Sequence, residues 1–150
     1  MHLTGWPDGP PLLDGWPALA AALHQNGWLP AAAVGQVALI WWFGRLIANT
    51  DMHEGNLSFH PGLSLAPVYD MLPMRYRPRD EDPMPDPGFE PPAPHAGVLE
   101  AWATAVPAAA LFWERVAAAP QVSAAFRHIA GRNRASVNGL SSLPPSASTR

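Results

Sequence analysis

Apolar residues recur at helical spacing in the N-terminal part of the chain and predict two helices there. Between Trp16 and Gln25, Leu19 and Leu23 share one face, and Asn26-Gly27 is a typical helix end. The segment from Ala31 to Ala48 is apolar on nearly all sides. A helix of that kind is buried in the centre of a domain, so we expect it to form the core.

Two or three further helices are predicted toward the C-terminus. One apolar stripe includes Leu99 and Val106, and a second begins after Pro107, which is expected to separate or kink the two. A last helix should follow Ser123, a candidate cap, with Ile129 facing inward.

A short β-hairpin is predicted between the central helix and these last helices. Apolar and polar residues alternate at 57–59 and again at 63–65, on either side of His60-Pro61-Gly62. The expected fold class is therefore mainly α with one short β-hairpin. In this interpretation residues 1–13 are a loop or cut end and 14–134 one domain with a proline-rich loop at 73–95. Residues 135–150 are a disordered tail.

The composition limits where the protein is expected to act and which kinds of partner it is expected to bind. The chain has 150 residues, a net charge of −3 and no cysteine, which fits a cytoplasmic protein without disulfides. The charge gives no reason to expect direct binding of nucleic acid. Gln36, Gly44 and Arg45 interrupt the apolar segment 31–48, so we interpret it as a buried helix and expect no membrane association.

Chemistry is concentrated in the polar segment Asn49–Asn56 and in Asp70, which follows the predicted hairpin. Phosphoryl transfer needs a carboxylate to accept the proton of the attacking hydroxyl, and oxygen ligands for magnesium. Protein kinases meet both needs with an Asp, an Asn five residues later, and a second Asp after a short hairpin. Asp51, Asn56 and Asp70 have this order and spacing.

The sequence segments around these residues resemble those of a known protein family. The string LIANTDMHEGNLSF, followed by LAPVYDMLP, resembles the signature of the HipA family of bacterial toxin kinases, and LAPVYDMLPMRYRP resembles its YjjJ-like branch. The similarity continues through FWERVAAAPQVSAAFRHIA and covers residues 14–134. The resemblance implies the C-lobe of a kinase-like fold, with Asp51 as catalytic base and Asn56 and Asp70 as magnesium ligands.

The same resemblance implies cofactors and partners. It implies Mg²⁺ and ATP, a serine or threonine hydroxyl of a protein substrate, and a helix-turn-helix antitoxin. The chain has no lysine and no glycine-rich phosphate loop, both of which such kinases use to hold ATP. We therefore expect an N-terminal lobe to be missing and the chain to be inactive alone. Met52 and Gly55 replace basic residues that many relatives carry, which leaves the substrate contacts open.

Residues near Asp51, Asn56 and Asp70 have two interpretations each. Asn49 and His53 are expected to structure the loop, although His53 would be a metal ligand if Asp51, His53, His60 and Asp70 formed a hydrolase or nuclease site. Arg75, Arg77 and Arg79 are expected either to contact substrate or phosphate, or to belong to a solvated loop.

Two bland alternatives stay open. Asp51 and Asn56 are residue types that commonly form local turns after a helix, without any catalytic role. The whole chain is also compatible with a non-catalytic protein-interaction module or a kinase relic.

Overall fold

Four α-helices form most of the ordered structure in residues 15–94 and 99–140, the part of the chain that this computed structural model describes. They are α1 (Gly15–Gln25), α2 (Ala31–Leu46), α3 (Leu99–Ala118) and α4 (Ala124–Leu140). Two 3-10 helices, Glu54–Asn56 and Met74–Tyr76, lie in the long connection between α2 and α3. The two N-terminal helices thus form where apolar periodicity predicted them.

The predicted fold class, mainly α with one short β-hairpin in the C-lobe of a kinase-like fold, is wrong. The described residues are all-helical, and none of them forms a strand. Residues 58–66 form a turn with a single antiparallel bridge between Phe59 and Leu65. Leu63 adopts a positive φ of 65° at the tip, and Pro61 and Pro67 donate no N–H. A ladder cannot extend past such residues, so the alternation stops at one bridge.

One core cluster lies between α2, α3 and α4. Its centre is Trp113 on α3, which is fully buried and packs edge-on against Tyr76 at 6.3 Å between ring centroids. The Trp113 indole donates a hydrogen bond of 3.1 Å to the main-chain oxygen of Leu46. That oxygen belongs to the last turn of α2, where helical carbonyls lack partners within the helix. Trp113 therefore fixes the end of the helix from which the polar loop departs.

A second cluster joins α1 to the first half of α2 and to the start of the turn segment. Trp16, Leu23, Val37 and Leu57 are among its buried members. Trp16 also donates from its indole nitrogen to the main-chain oxygen of His53 at 3.0 Å. The N-terminal helix thus contacts the polar loop directly, as well as packing on α2.

The structure differs from the sequence predictions at Pro107 and at the end of the last helix. Pro107 lies inside α3 instead of separating two helices, because Val106 and Ala109 on either side of it are buried against the same core. The last helix continues to Leu140, beyond the boundary expected at residue 134. The predicted N-terminal loop at 1–13 and residues 141–150 of the predicted tail lie outside the described residues. Among the described helices, none is long and apolar enough to cross a membrane.

Candidate functional site

The polar loop begins where α2 reverses direction. After Leu46 and Ile47, Ala48 adopts a left-handed backbone conformation with φ of 61°. The N–H of Asn49 then donates back to the main-chain oxygen of Gly44 at 2.9 Å. This is the kind of hydrogen bond that ends a helix and turns the chain away from its axis. The predicted residues Asp51 and Asn56 therefore follow an abrupt turn at the end of α2, a helix that is buried on one side and has exposed residues such as Gly35 and Arg45 on the other.

Asn49 connects the two carboxylate-bearing segments. Its side chain is buried, with 4% of the residue exposed. The Oδ1 atom accepts from the main-chain N–H of Asp51 at 2.9 Å, and the Nδ2 atom donates to the main-chain oxygen of Asp70 at 2.9 Å. One buried amide thus holds the backbones of Asp51 and Asp70 next to each other.

Asn56 closes the loop from its other end. It is buried at the end of the Glu54–Asn56 helix, and its Nδ2 atom donates to the main-chain oxygen of Asp51 at 2.8 Å. Among the described residues no hydrogen bond engages its Oδ1 atom. The amide is therefore oriented by its nitrogen, and its oxygen is left to accept another ligand.

The segment that carries Asp70 is attached to the loop at three points. Besides the bond from Asn49, the Tyr69 hydroxyl donates to the main-chain oxygen of Gly55 at 2.5 Å. Beyond Asp70, the N–H of Arg75 donates to the main-chain oxygen of Ala48 at 3.1 Å. Asp70 itself adopts φ of 54°, a conformation that Asp tolerates better than most residues. The structure thus brings Asp51, Asn56 and Asp70 to adjoining pieces of backbone.

Gly44 lets both segments pack closely on α2. A Cβ atom built at this buried glycine would lie 2.3 Å from the Sδ atom of Met52 and 3.1 Å from the Cε atom of Met71. Met52 belongs to the loop and Met71 follows Asp70, so a larger residue would displace both. From the sequence, Gly44 was predicted only to interrupt the apolar segment 31–48. Its function in packing depends on residues that come later in the chain.

His53 has a local role in the loop. Its Nδ1 atom accepts from the N–H of Gly55 at 3.1 Å, which caps the short Glu54–Asn56 helix. His60 lies at the exposed tip of the turn. Within residues 15–94 and 99–140, no group of three or more His, Cys, Asp or Glu side chains is placed to hold a metal ion. The geometry therefore gives no support to a hydrolase site built on Asp51, His53 and Asp70.

The oxygen atoms of the site match the preferences of magnesium. Asp51 and Asp70 are exposed carboxylates, and Asn56 offers a side-chain carbonyl. Mg²⁺ takes oxygen ligands and usually keeps several waters, so one or two carboxylates with a substrate phosphate suffice for it. A pair of protein ligands, Asn56 and Asp70, is thus compatible with a magnesium site completed by phosphate oxygens.

A polar pocket of about 360 Å³ opens on the Asp51 side of the loop. Arg75 and Arg77, the predicted substrate or phosphate contacts, line it together with Asp51. Its other lining residues are Thr50, Met74, Arg79 and Pro87. Thr50 was not predicted, since nothing in its sequence context separates it from an ordinary loop residue.

Sequence comparison relates the chain to a bacterial toxin. Over 118 residues it is 46% identical to the protein named Toxin YjjJ from Escherichia coli (strain K12). The match covers 77% of this chain, which spans 27% of the length of that curated relative. No protein-family profile matches the chain. No solved structure matches it either.

Proposed function

We propose that this chain is the magnesium-binding and catalytic part of a toxin kinase that transfers phosphate from Mg-ATP to a serine or threonine hydroxyl of a protein. The toxin assignment is supported by the 46% identity to Toxin YjjJ. The kinase assignment is supported by the residues of the site. Under this proposal the protein acts in the cytoplasm and an antitoxin, expected to be of the helix-turn-helix type, binds it.

The observation that carries the proposal is the bridge through Asn49. Its buried amide accepts from Asp51 and donates to Asp70, so that the proposed base and a proposed metal ligand are held at a set separation. Phosphoryl transfer depends mainly on positioning and on electrostatic stabilisation. A rigid link between these two carboxylate-bearing residues is what such a reaction requires.

The proposed reaction is a direct transfer of the γ-phosphoryl group from ATP to a hydroxyl. The hydroxyl oxygen of the substrate forms a bond to the γ-phosphorus of ATP as the bond between that phosphorus and the bridging oxygen breaks, which leaves ADP. The Asp51 carboxylate orients the hydroxyl and accepts its proton, which then passes to solvent. Asp51 is exposed in the polar pocket, so a hydroxyl can reach it.

Asn56 and Asp70 would hold the magnesium ion, through an amide oxygen and a carboxylate. Bound there, the ion would supply positive charge to stabilise the negative charge that develops during transfer. The Nδ2 bond of Asn56 to Asp51 turns its oxygen away from Asp51. The chain supplies no lysine for the phosphates. Since it spans 27% of its relative's length, ATP binding is proposed to need a further part of the protein.

A chimera tests the proposal. The segment of E. coli Toxin YjjJ that matches this chain would be replaced by the corresponding residues of this chain. The chimera would be incubated with ATP labelled at the γ-phosphate and with bacterial protein, and phosphoserine and phosphothreonine would be located by mass spectrometry. Asp51→Asn would remove the base, and Asp80→Asn would serve as a matched control on an exposed acid outside the site.

We expect the chimera and its Asp80→Asn variant to label protein hydroxyls, and Asp51→Asn to lower labelling by at least about a hundredfold, as loss of a general base does. Undiminished labelling by Asp51→Asn would show that the base is assigned wrongly. A chimera that is folded by circular dichroism but transfers no phosphate would count against the kinase assignment itself.

A further inference from the structure

Three arginines lie within and just after the Met74–Tyr76 helix. Arg75, Arg77 and Arg79 are all exposed, and all line the polar pocket that contains Asp51. The chain as a whole carries a net charge of −3. Of the seven residues that line the pocket three are arginine and one, Asp51, is acidic, so arginine predominates in the lining although Asp80, Glu81 and Asp82 follow Arg79 directly.

Tyr76 explains why these side chains share the pocket. It is buried, packs against Trp113 and Phe126 at 6.3 and 5.6 Å, and exchanges hydrogen bonds with Asn133 on α4. Arg77, directly after it, has an extended backbone with φ of −57° and ψ of 127°. Because Tyr76 is held in the core, the arginines on either side of it are held at the surface.

The pocket arginines form no close side-chain ion pair within the described part of the chain. The ion pairs found there join Arg132 to Asp86 and Arg134 to Glu114, and neither involves a pocket arginine. The Arg75 side chain donates from Nε to the main-chain oxygen of Gly88 at 2.5 Å. That bond orients Arg75 and leaves its terminal nitrogens for another acceptor.

The position of the pocket indicates which reactant it serves. It is lined by Asp51 but by neither Asn56 nor Asp70, the residues proposed to hold the metal and, with it, the nucleotide phosphates. Apart from Met74 and Pro87 its lining is polar, and Asp51, the proposed base, is part of that lining. The pocket is therefore on the side of the hydroxyl acceptor. A pocket of about 360 Å³ is large enough to admit an acidic side chain.

We propose that Arg75, Arg77 and Arg79 bind carboxylate side chains of the protein substrate, so that hydroxyls flanked by Asp or Glu are preferred. The proposal rests on the proposed kinase function, since it takes Asp51 as the base that receives the hydroxyl. Arginine suits the task because its planar fork binds a carboxylate with two parallel hydrogen bonds. The subsite would also place the acceptor hydroxyl near Asp51 before transfer.

Peptide binding to the 150-residue chain tests the subsite without ATP or metal. Two fluorescein-labelled peptides would be compared by fluorescence anisotropy at low salt, one with a serine flanked by glutamates and one with glutamines instead. The double variant Arg77→Gln/Arg79→Gln removes two pocket arginines and keeps Arg75 on Gly88. Arg115→Gln is the matched control, an exposed arginine on α3. Urea unfolding would verify that all variants are folded.

We expect the glutamate peptide to bind at least about tenfold more tightly than the glutamine peptide, and the preference to decline with added salt. Arg77→Gln/Arg79→Gln should abolish the preference, and Arg115→Gln should retain it. Equal binding of the two peptides, or an equal loss in Arg115→Gln, would overturn the proposal. So would displacement of the peptide by pyrophosphate at equal concentration, which would assign the arginines to nucleotide phosphates.

The two proposals fail separately. A chimera that transfers no phosphate while the glutamate preference persists would overturn the kinase function and leave the carboxylate subsite. An active chimera whose parent chain shows no preference would overturn the subsite alone.

Discussion

Asn49 and Asp70, 21 positions apart in the chain, are joined by a hydrogen bond of 2.9 Å from the side-chain amide of the first to the main-chain oxygen of the second. The same amide accepts from the N–H of Asp51. The hydrogen bonds between the two segments that do not involve Asn49 run from the exposed Tyr69 hydroxyl to Gly55 and from the N–H of Arg75 to Ala48, and neither of them engages Asp51 or Asp70. The arrangement of the site therefore depends strongly on one side chain.

Replacement of Asn49 by alanine should lower the free energy of unfolding by about 1–3 kcal/mol, because it removes two partly buried hydrogen bonds that each contribute about 0.5–1.5 kcal/mol. Urea unfolding of the 150-residue chain measures this change. Asn26→Ala is the control, since Asn26 makes a comparable side-chain bond of 2.8 Å to Ala22 but is exposed. A loss for Asn49→Ala no larger than that for Asn26→Ala would contradict the structural role of Asn49.

Gly44→Ala should destabilise the chain by about 1–3 kcal/mol, since the new methyl group would overlap Met52 on the loop. Gly35→Ala, on the same helix but with no atom within 4 Å of its added Cβ, should instead stabilise by about 0.5–1 kcal/mol. Thermal or urea unfolding separates the two. The double variant Gly44→Ala/Met52→Ala should recover part of the loss, and a failure to recover any would place the clash elsewhere.

Tyr76 should make stability depend on pH in the alkaline range. Burial raises the pKa of its hydroxyl above the ordinary value of 10.0, against an opposing effect of the hydrogen bond from Asn133. The folded state then holds the proton more tightly than the unfolded state, so this contribution is complete below pH 10 and is lost as pH rises through the folded pKa. The chain has no lysine or cysteine to titrate in the same range.

The measurement is the urea midpoint between pH 8 and 11. We expect it to fall above pH 10 in the natural chain and to fall less in Tyr76→Phe. Tyr69→Phe is the comparison variant, because the Tyr69 hydroxyl also donates a hydrogen bond, to Gly55, and the two single variants together show which tyrosine causes the fall. An identical pH profile for the natural chain and Tyr76→Phe would assign the fall to another group.

Divalent metal should bind weakly to the isolated chain and depend on Asp70. Mn²⁺, used in place of Mg²⁺, can be followed by its electron paramagnetic resonance signal. Asp70→Asn should weaken binding by about tenfold, the effect of roughly 1.4 kcal/mol. Asparagine tolerates the left-handed backbone at this position, so the substitution tests charge and leaves the conformation in place. If Asp80→Asn weakened binding equally, the metal would be held by diffuse acidic charge.

The predicted β-hairpin does not form in the described residues, which contain a single bridge between Phe59 and Leu65. Residues 57–59 and 63–65 alternate as strands do, yet each arm is only three residues long. A strand is stabilised by its neighbours, and here Pro61, Pro67 and the left-handed Leu63 remove the positions where pairing would continue. Leu57 is buried in the second core cluster, and Phe59, Leu63 and Leu65 pack against it, but their alternation does not produce a sheet.

By itself, the sequence determined the two N-terminal helices and suggested the candidate site residues. Apolar periodicity located α1 and α2 closely, since the burial of a helix face repeats every three to four residues and is visible locally. The order and spacing of Asp51, Asn56 and Asp70 predicted a kinase-like site, because phosphoryl transfer restricts the residue types that can serve as base and magnesium ligands.

Only the tertiary structure decided how these parts are held. Asn49 reaches Asp70, Gly44 admits Met52 and Met71, and buried Tyr76 holds its flanking arginines at the pocket. Each relationship joins residues whose distance apart depends on how the whole chain packs. No local pattern encodes such a contact, so a polar or small residue shows its role only when its distant partner is in place.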